Sequence, residues 1–487
     1  MKEVPNSLED ISDKWCEMVL HKEGLIDNST TVKNVVVERL INEDTGAIDG
    51  GGLMEAQIIR IKLTYHETND NFKNPSSIIA KHMATGSNMC KGGLSLRLFV
   101  FFAFGKNVDE KLWRTDIKFY RKVVPLLKHT YKFPEIYYTG ITDGGDRGFF
   151  NEVVRSTPHK VRTISLMQDM KGWKAHTVGI NRINVKETIA ILQNLAILHG
   201  TFWGDRNTEI RNNFDPAFCE REVRGAKYSK WGAKQRKKFL SNPNSVRTAV
   251  NQMIKNWEDH EWFRIPQNDA HPPWLRTNIE SDENKEYISI LKDPIILEMI
   301  DAYVERFPSF NPTFSKKFLD MPSQTLLHGD CHNGNHMYLE KNGEIEVIAL
   351  DFQMVGPGVV VSDIIRLFYL SRRHVSVTED KELLKKYHEA LVSSGVESYS
   401  YNDLCEHYTL GCFESLTRCL VDLSSLTPKK MVQMYHDMFG HEKWMGMKRM
   451  LESGVSCYIF LFLTSLYQRD KQKFLIDDSF LHLSEAT

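Results

Sequence analysis

The sequence is poor in several features that would each have named a protein class. None of its eight cysteines (Cys16, Cys90, Cys219, Cys331, Cys405, Cys412, Cys419 and Cys457) pairs with another in C-x-x-C spacing. That removes the commonest zinc-ribbon and thiol-redox patterns. Cys405, Cys412 and Cys419 recur every seven residues and share a helical face, so buried thiols account for them better than disulfides. A reducing, cytoplasmic compartment is the expectation. There is no excess of charge of either sign: 62 basic residues face 63 acidic ones. This argues against a nucleic-acid binder held by a bulk positive field and leaves room for a local positive pocket. The opening MKEVPNSLEDISDKWC has no apolar core of the kind a secretory signal needs. The most apolar late stretch, SCYIFLFLTSLYQRD, is too short for a transmembrane segment and reads as a buried helix. No internal repeat and no long low-complexity segment stands out.

What is there is ordinary globular composition on a long chain. With 487 residues, 41% hydrophobic and 26% charged, the chain can bury a large core in one to three domains. Residues 1–30 read as a leading helix and a polar connection. VVVERL (35–40), AQIIRIKLTY (56–65) and SSIIAKHMA (76–84) then read as a strand meander. Gly50, Gly51 and Gly52 form the turn between its first two strands. KLWRTDIKFYRKVVPLLK (111–128) has helical spacing. EIYYTGI, FFNEVVR and TISLMQDM (163–170) add short strands. From about residue 183 the texture turns helical, beginning with VKETIAILQNLAILHGTFWG as an amphipathic helix, in which His199 is read as core. Residues 205–325 are aromatic-rich and resist parsing. One β island, TLLHGDCHNGNHMYLE followed by EIEVIALDFQMVG, interrupts the helical half. VIALDF reads as its buried strand. SDIIRLFYLSRR follows, with Ser362 as the expected N-cap and Asp363 in the first turn.

The island carries the chemistry. His328, Asp330, His332 and His336 crowd into nine residues. One reading is an iron or zinc site: His328-x-Asp330 as part of a facial triad, or His332 and His336 on one helix face. Gly334 and Asn335 weigh against a helix there. The other reading follows the spacing. His328-x-Asp330, four residues, then Asn335 is the pattern of a phosphotransfer loop, in which the Asp takes the acceptor hydroxyl's proton and the Asn holds Mg²⁺. Asp351, before Phe352, stands where a second magnesium ligand is needed. Lys81 on the third strand, the Gly50–Gly52 turn and Asp116 on the following helix complete a set for ATP phosphates. Lys81 alone would read as a surface lysine, and His332 and His336 as surface residues.

In HGDCHNGN, ALDFQMVGPG, SDIIRLF, NLAILHGTFWG and KFYRKVVPLL the chain resembles the aminoglycoside phosphotransferase/choline kinase superfamily. Within it, the chain is most similar to the ecdysteroid-kinase-like branch. The resemblance runs over roughly residues 35–370. It implies an α+β, two-lobed protein-kinase-like fold: a small β-rich N-lobe over 1–170 and a large helical C-lobe over 171–487. It implies ATP and Mg²⁺ as cofactors and a small-molecule alcohol, lipophilic or amino-alcohol, as acceptor, with no nucleic-acid partner. Asp330 would be the catalytic base, Asn335 and Asp351 the metal ligands, and Lys81 the phosphate contact with Asp116 as its partner. LMQDM would be the adenine hinge, bringing in Gln168, Asp169 and Met170. His328 and Asp363 would brace the loop. The pattern departs where Asp116 stands for the usual Glu and Gln168 for the usual hinge Glu. The shorter Asp116 keeps a rival alive, a nucleotide-binding pseudokinase without turnover.

Overall fold

The structure, a computed structural model, describes residues 4–40, 57–83, 108–127, 130–142, 161–176, 183–215, 323–371 and 377–408, with the single positions 217, 248 and 411. Gly50, Gly51 and Gly52, the expected strand FFNEVVR, Cys412 and Cys419, and the apolar stretch near residue 460 lie outside the described residues. The chain is α+β as expected. A β-rich N-terminal lobe is followed by helices that enclose two small sheets.

Helix α1 (Asp13–Lys22) is capped by Ser12, whose Oγ accepts the Trp15 N–H at 3.3 Å. Strands β1 (Val32–Arg39), β2 (Gln57–Tyr65) and β3 (Ser77–Met83) pair antiparallel in sequence order, which is the meander read from alternation. In β2, Ile59, Ile61 and Leu63 are buried and pack with Trp15 and Val19 of α1. Arg60, Lys62 and Thr64 point the other way, as a period of two requires. Helix α2 (Val108–Lys118) precedes β4 (Ile136–Ile141) and β5 (Thr163–Gln168). The five strands form one sheet in the order β1-β2-β3-β5-β4, which makes β3 central. The helix expected over 111–128 is broken up: α2 loosens into a π turn at Phe119–Val123 and a 3-10 turn at Val124–Leu126. Pro125 cannot donate to the ladder, and the looser turn seats Phe119, Tyr120 and Val123 in the core.

The second part contains β6 (Lys174–Ala175), α3 (Val185–Thr201), α4 (Thr208–Arg211), β7 (Gln324–Leu327), β8 (His336–Lys341), β9 (Glu344–Ala349), β10 (Gly356–Val359), α5 (Val361–Ser371) and α6 (Val377–Ser393). A capping box between Asn184 and Glu187 starts α3. The helix is more buried than an amphipathic reading allows, because it lies between α6 and β9. Between Ile191 and Gly200 only Gln193 is exposed. β9 begins at Glu344 and ends before Asp351, so VIALDF is not one strand. Asp351 instead takes a left-handed conformation, φ 60°. α5 begins at Val361, so Ser362 lies inside the helix rather than capping it. The chain enters directly from β10, which pairs with β7 through Val359 and Gln324.

Candidate active site

A lysine and two aspartates from three separate elements meet at one corner. Lys81, central in β3, places Nζ 2.6 Å from Asp351 Oδ1 and 3.2 Å from Asp116 Oδ2. Lys81 is buried, so its neighbours decide its charge. Burial alone would lower its pKa, but Asp116 and Asp351 outweigh it and hold the ammonium protonated. Asp116, 2% exposed, is pushed the other way. Burial raises its pKa, Lys81 opposes, and the charge on Asp351 adds to the rise. Its second oxygen, Oδ1, accepts the Phe352 N–H at 3.1 Å. The side chain one methylene shorter than Glu therefore reaches the lysine and still ties α2 to the backbone after Asp351. Phe352 reinforces the tie by stacking on Phe119 with ring centroids 3.8 Å apart.

The loop after β7 carries the second half. Asp330 and Asn335 are buried at the ends of a tight turn. Asn335 Nδ2 donates to the Asp330 carbonyl at 2.9 Å and to Oδ2 at 3.2 Å. His328 is neutral, because burial lowers its pKa more than the nearby Asp363 and Asp330 raise it. Its Nε2 bonds the Leu350 carbonyl at 2.9 Å, which ties the loop to the segment before Asp351. Asp363, fully buried at the start of α5, accepts the His328 N–H at 2.6 Å and the Gly329 N–H at 2.9 Å. Behind it His199 approaches Asp363 Oδ2 at 3.2 Å and Tyr387 Oη at 2.8 Å. The core histidine read from sequence is thus the rear support of the loop. Gly329 has φ +79°, and a Cβ there would lie 2.0 Å from the Met354 carbonyl oxygen, so no other residue fits without backbone movement.

The expected hinge closes β5. The Gln168 side chain is exposed, and its N–H donates to the Glu135 carbonyl at 2.8 Å. The Met170 carbonyl accepts the Trp173 N–H at 3.1 Å. The Asp169 carboxylate is turned into the sheet and gripped by Arg60, Nε at 2.7 Å, and by Ser77. Its side chain is committed to structure, so a ligand at this edge would meet backbone.

Two side chains at the site, Arg366 and Gln353, were not singled out by the sequence reading. Arg366, one turn after Asp363 on α5, donates through Nε at 2.8 Å and Nη2 at 2.5 Å to Asp330 Oδ1. Burial would raise the Asp330 pKa, but Arg366 and His332 outweigh it and hold the carboxyl well below the usual range. Gln353 donates from Nε2 to Asp351 Oδ2 at 3.1 Å, and its own buried Oε1 has no hydrogen-bond partner among the described residues. His332 and His336 are not surface residues. His336 is 1% exposed, with Nδ1 2.8 Å from the His332 carbonyl. His332 Nε2 lies 3.5 Å from Asp330 Oδ2. A lone Arg inside SDIIRLF carries no spacing that marks it, so only the Asp363-to-Arg366 interval of one turn hinted at a shared face.

The donor set fits a hard divalent cation. Asn335 uses its NH₂ on Asp330, which leaves its amide oxygen as the acceptor. Asp351 keeps 28% of its side chain exposed, and the orphaned Gln353 Oε1 adds a third hard oxygen nearby. Oxygen ligands of this kind suit Mg²⁺. The histidines, by contrast, are spent on the loop itself: His328 on Leu350, His336 on the His332 carbonyl, and His332 Nδ1 on the Gly334 N–H at 3.1 Å. Among the described residues no three His, Cys, Asp or Glu side chains cluster to hold a metal.

The sequence profile of the ecdysteroid kinase-like family matches residues 51–398. No curated protein matches the sequence. Among solved structures, an ethanolamine kinase of Plasmodium vivax is similar at 13% identity and TM-score 0.37, covering 91% of this chain and 88% of its own. A choline kinase of Cryptosporidium parvum is similar at 12% identity and TM-score 0.37, covering 96% of this chain and 98% of its own. A macrolide 2′-phosphotransferase of Brachybacterium faecium is similar at 12% identity and TM-score 0.34, covering 88% of this chain and 98% of its own.

Proposed function

The chain belongs to the ecdysteroid kinase-like family, and from that premise we propose that it is an ATP- and Mg²⁺-dependent kinase of a small-molecule alcohol. The observation that carries the reading is the meeting of Lys81 with Asp351, 270 positions apart, at 2.6 Å, on one side of a loop that presents Asp330 beside Asn335. That is the charge arrangement phosphoryl transfer needs: a fixed cation for the phosphates, oxygen ligands for a metal, and a carboxylate for the acceptor hydroxyl. Lys81 binds the α- and β-phosphates and Asp116 holds it there. The backbone at Gln168, Asp169 and Met170 receives the adenine. Asn335 and Asp351 would hold Mg²⁺, which when bound would supply neutralisation of the phosphate charge. Asp330 aligns the hydroxyl and takes its proton; the γ-phosphoryl group passes to that oxygen, leaving ADP. Asp330 works by orientation, since its carboxyl is held ionised.

The acceptor is an alcohol, and Arg366 favours an uncharged, lipophilic one. A guanidinium 2.5 Å from Asp330 Oδ1 offsets the negative charge that would otherwise draw an ammonium group to the same spot. The enzyme is placed in the cytoplasm on the strength of its thiols. Among the described residues no helix is long and apolar enough to cross a membrane. The pseudokinase alternative rested on the short Asp116, and that side chain sits at ion-pair distance from Lys81.

The test is ADP release from Mg²⁺-ATP with sterols, amino alcohols, aminoglycosides and sugars, using Asp330→Ala as the blank. Release that vanishes in the variant supports the kinase. ATP bound without Mg²⁺ dependence, and no ADP with any alcohol, would establish the inactive nucleotide binder instead.

A further inference from the structure

The two oxygens of the Asp330 carboxylate are held unequally. Oδ1 takes two N–H groups from the planar fork of Arg366, at 2.8 and 2.5 Å. Oδ2 faces Asn335 Nδ2 at 3.2 Å and His332 Nε2 at 3.5 Å. The His332 ring is itself oriented: Nδ1 accepts the Gly334 N–H, which leaves the ring proton on Nε2. Each oxygen thus meets two N–H groups, but those on Oδ1 are the closer pair, and Oδ2 is the more weakly held. Arg366 also stands on an element already committed to the loop. From α5, Asp363 holds the backbone N–H groups of His328 and Gly329, and Ser371 Oγ accepts the Asn333 N–H at 2.8 Å. The loop backbone is thus secured on both sides of Asp330 without Arg366, whose Nε and Nη2 hydrogen bonds go to the carboxylate itself.

We propose that Arg366 is the positioning residue of the transfer step, binding Oδ1 so that Oδ2 is the oxygen presented to the acceptor. This rests on the phosphotransfer reading. In the step, the acceptor O–H proton moves to Oδ2 as its oxygen bonds to the γ-phosphorus. The bond from γ-phosphorus to the bridging oxygen breaks, and its electron pair leaves on ADP. Two N–H groups of a rigid guanidinium converging on one oxygen fix which oxygen is held, in a way a point charge does not.

Two variants of the full chain test this, Arg366→Lys and Arg366→Gln. Each is assayed for ADP release from Mg²⁺-ATP with ethanolamine and with a polyhydroxylated sterol, and each is crystallised with a non-hydrolysable ATP analogue. Arg366→Gln is expected to lose roughly 10- to 100-fold in kcat, with the KM for ATP and the melting temperature unchanged. Arg366→Lys should recover part of that rate. In the Arg366→Gln crystal the Asp330 carboxylate should be rotated on an unmoved loop backbone. An unchanged kcat, or losses of ATP affinity and melting temperature matching that of kcat, would overturn the proposal. If the wild type releases no ADP, the kinase reading fails by itself. The crystal still decides Arg366, since a carboxylate with unaltered orientation in Arg366→Gln ends its positioning role.

Discussion

Asp363→Asn is a near-isosteric change whose cost can be worked from the geometry. Asp363 is fully buried. Its Oδ2 accepts the His328 N–H at 2.6 Å and lies 3.2 Å from His199 Nε2, while Oδ1 accepts the Gly329 N–H at 2.9 Å. An amide offers one oxygen where the carboxylate offers two. Whichever way it is turned, one backbone N–H meets an NH₂ group. An orphaned buried donor costs about 1–3 kcal/mol, and each remaining bond weakens by about 1 kcal/mol when its acceptor loses charge. The sum is about 3–5 kcal/mol, which in a lobe of this size lowers the melting temperature by roughly 10 °C. A pH signature accompanies it. Burial would raise the Asp363 pKa, but the hydrogen bonds from His199 and the Gly329 N–H outweigh it and hold it low. A carboxylate depressed in the folded state stabilises the fold fully above its unfolded pKa of about 3.9, and loses that contribution as pH falls toward the folded value. The wild-type advantage over Asp363→Asn should be constant from pH 8 to 5 and shrink below about pH 4. Thermal melts of both proteins across that range provide the assay. A variant melting within 2 °C of wild type at pH 7.5 would refute the brace.

Other perturbations probe the corner and the loop. Lys81→Met strands Asp116 and Asp351 without their cation, so kcat/KM for ATP should fall by at least about 100-fold, with a stability loss of about 3–5 kcal/mol. Partial recovery of stability in Lys81→Met/Asp116→Asn would show that the stranded carboxylate is the cause; a normal kcat/KM would mean another lysine holds the phosphates. Asp351→Ala should abolish the Mg²⁺ dependence of nucleotide binding, measured calorimetrically with and without the cation, and an unaltered dependence would remove Asp351 from the ligand set. Gly329→Ala drives a Cβ into the Met354 carbonyl at positive φ and should cost about 3 kcal/mol or more. Soluble expression with an unshifted melt would contradict that backbone approach.

Much of this was legible in the chain because it depends on local pattern. Alternation in QIIRIKLTY set β2 and its buried face, and the spacing from His328 to Asn335 marked the loop. Neighbouring side chains produce such signals, and the physics behind them acts over a few residues. Where the reading slipped, the competing influence came from elsewhere in the fold. VIALDF looked like one strand, yet Asp351 left β geometry where Lys81 and Gln353 engage its carboxylate. Ser362 looked like a cap, yet β10 delivered the chain into α5 one residue earlier. His336 looked exposed, yet it is buried with its Nδ1 on the His332 carbonyl.

By itself the sequence determined the order of parts among the described residues: a strand lysine, a helix carboxylate, an Asp and Asn on a loop, and a second Asp after a strand. It also determined the family. Only the tertiary structure decided how those parts engage. That Asp116 reaches Lys81 despite its length follows from α2 packing against the turn after Asp351 and against β5, the strand beside β3. That Arg366 grips Asp330 follows from where α5 lies against the loop. Contacts between residues far apart in the chain are fixed by the register of packed elements, and no local spacing records it.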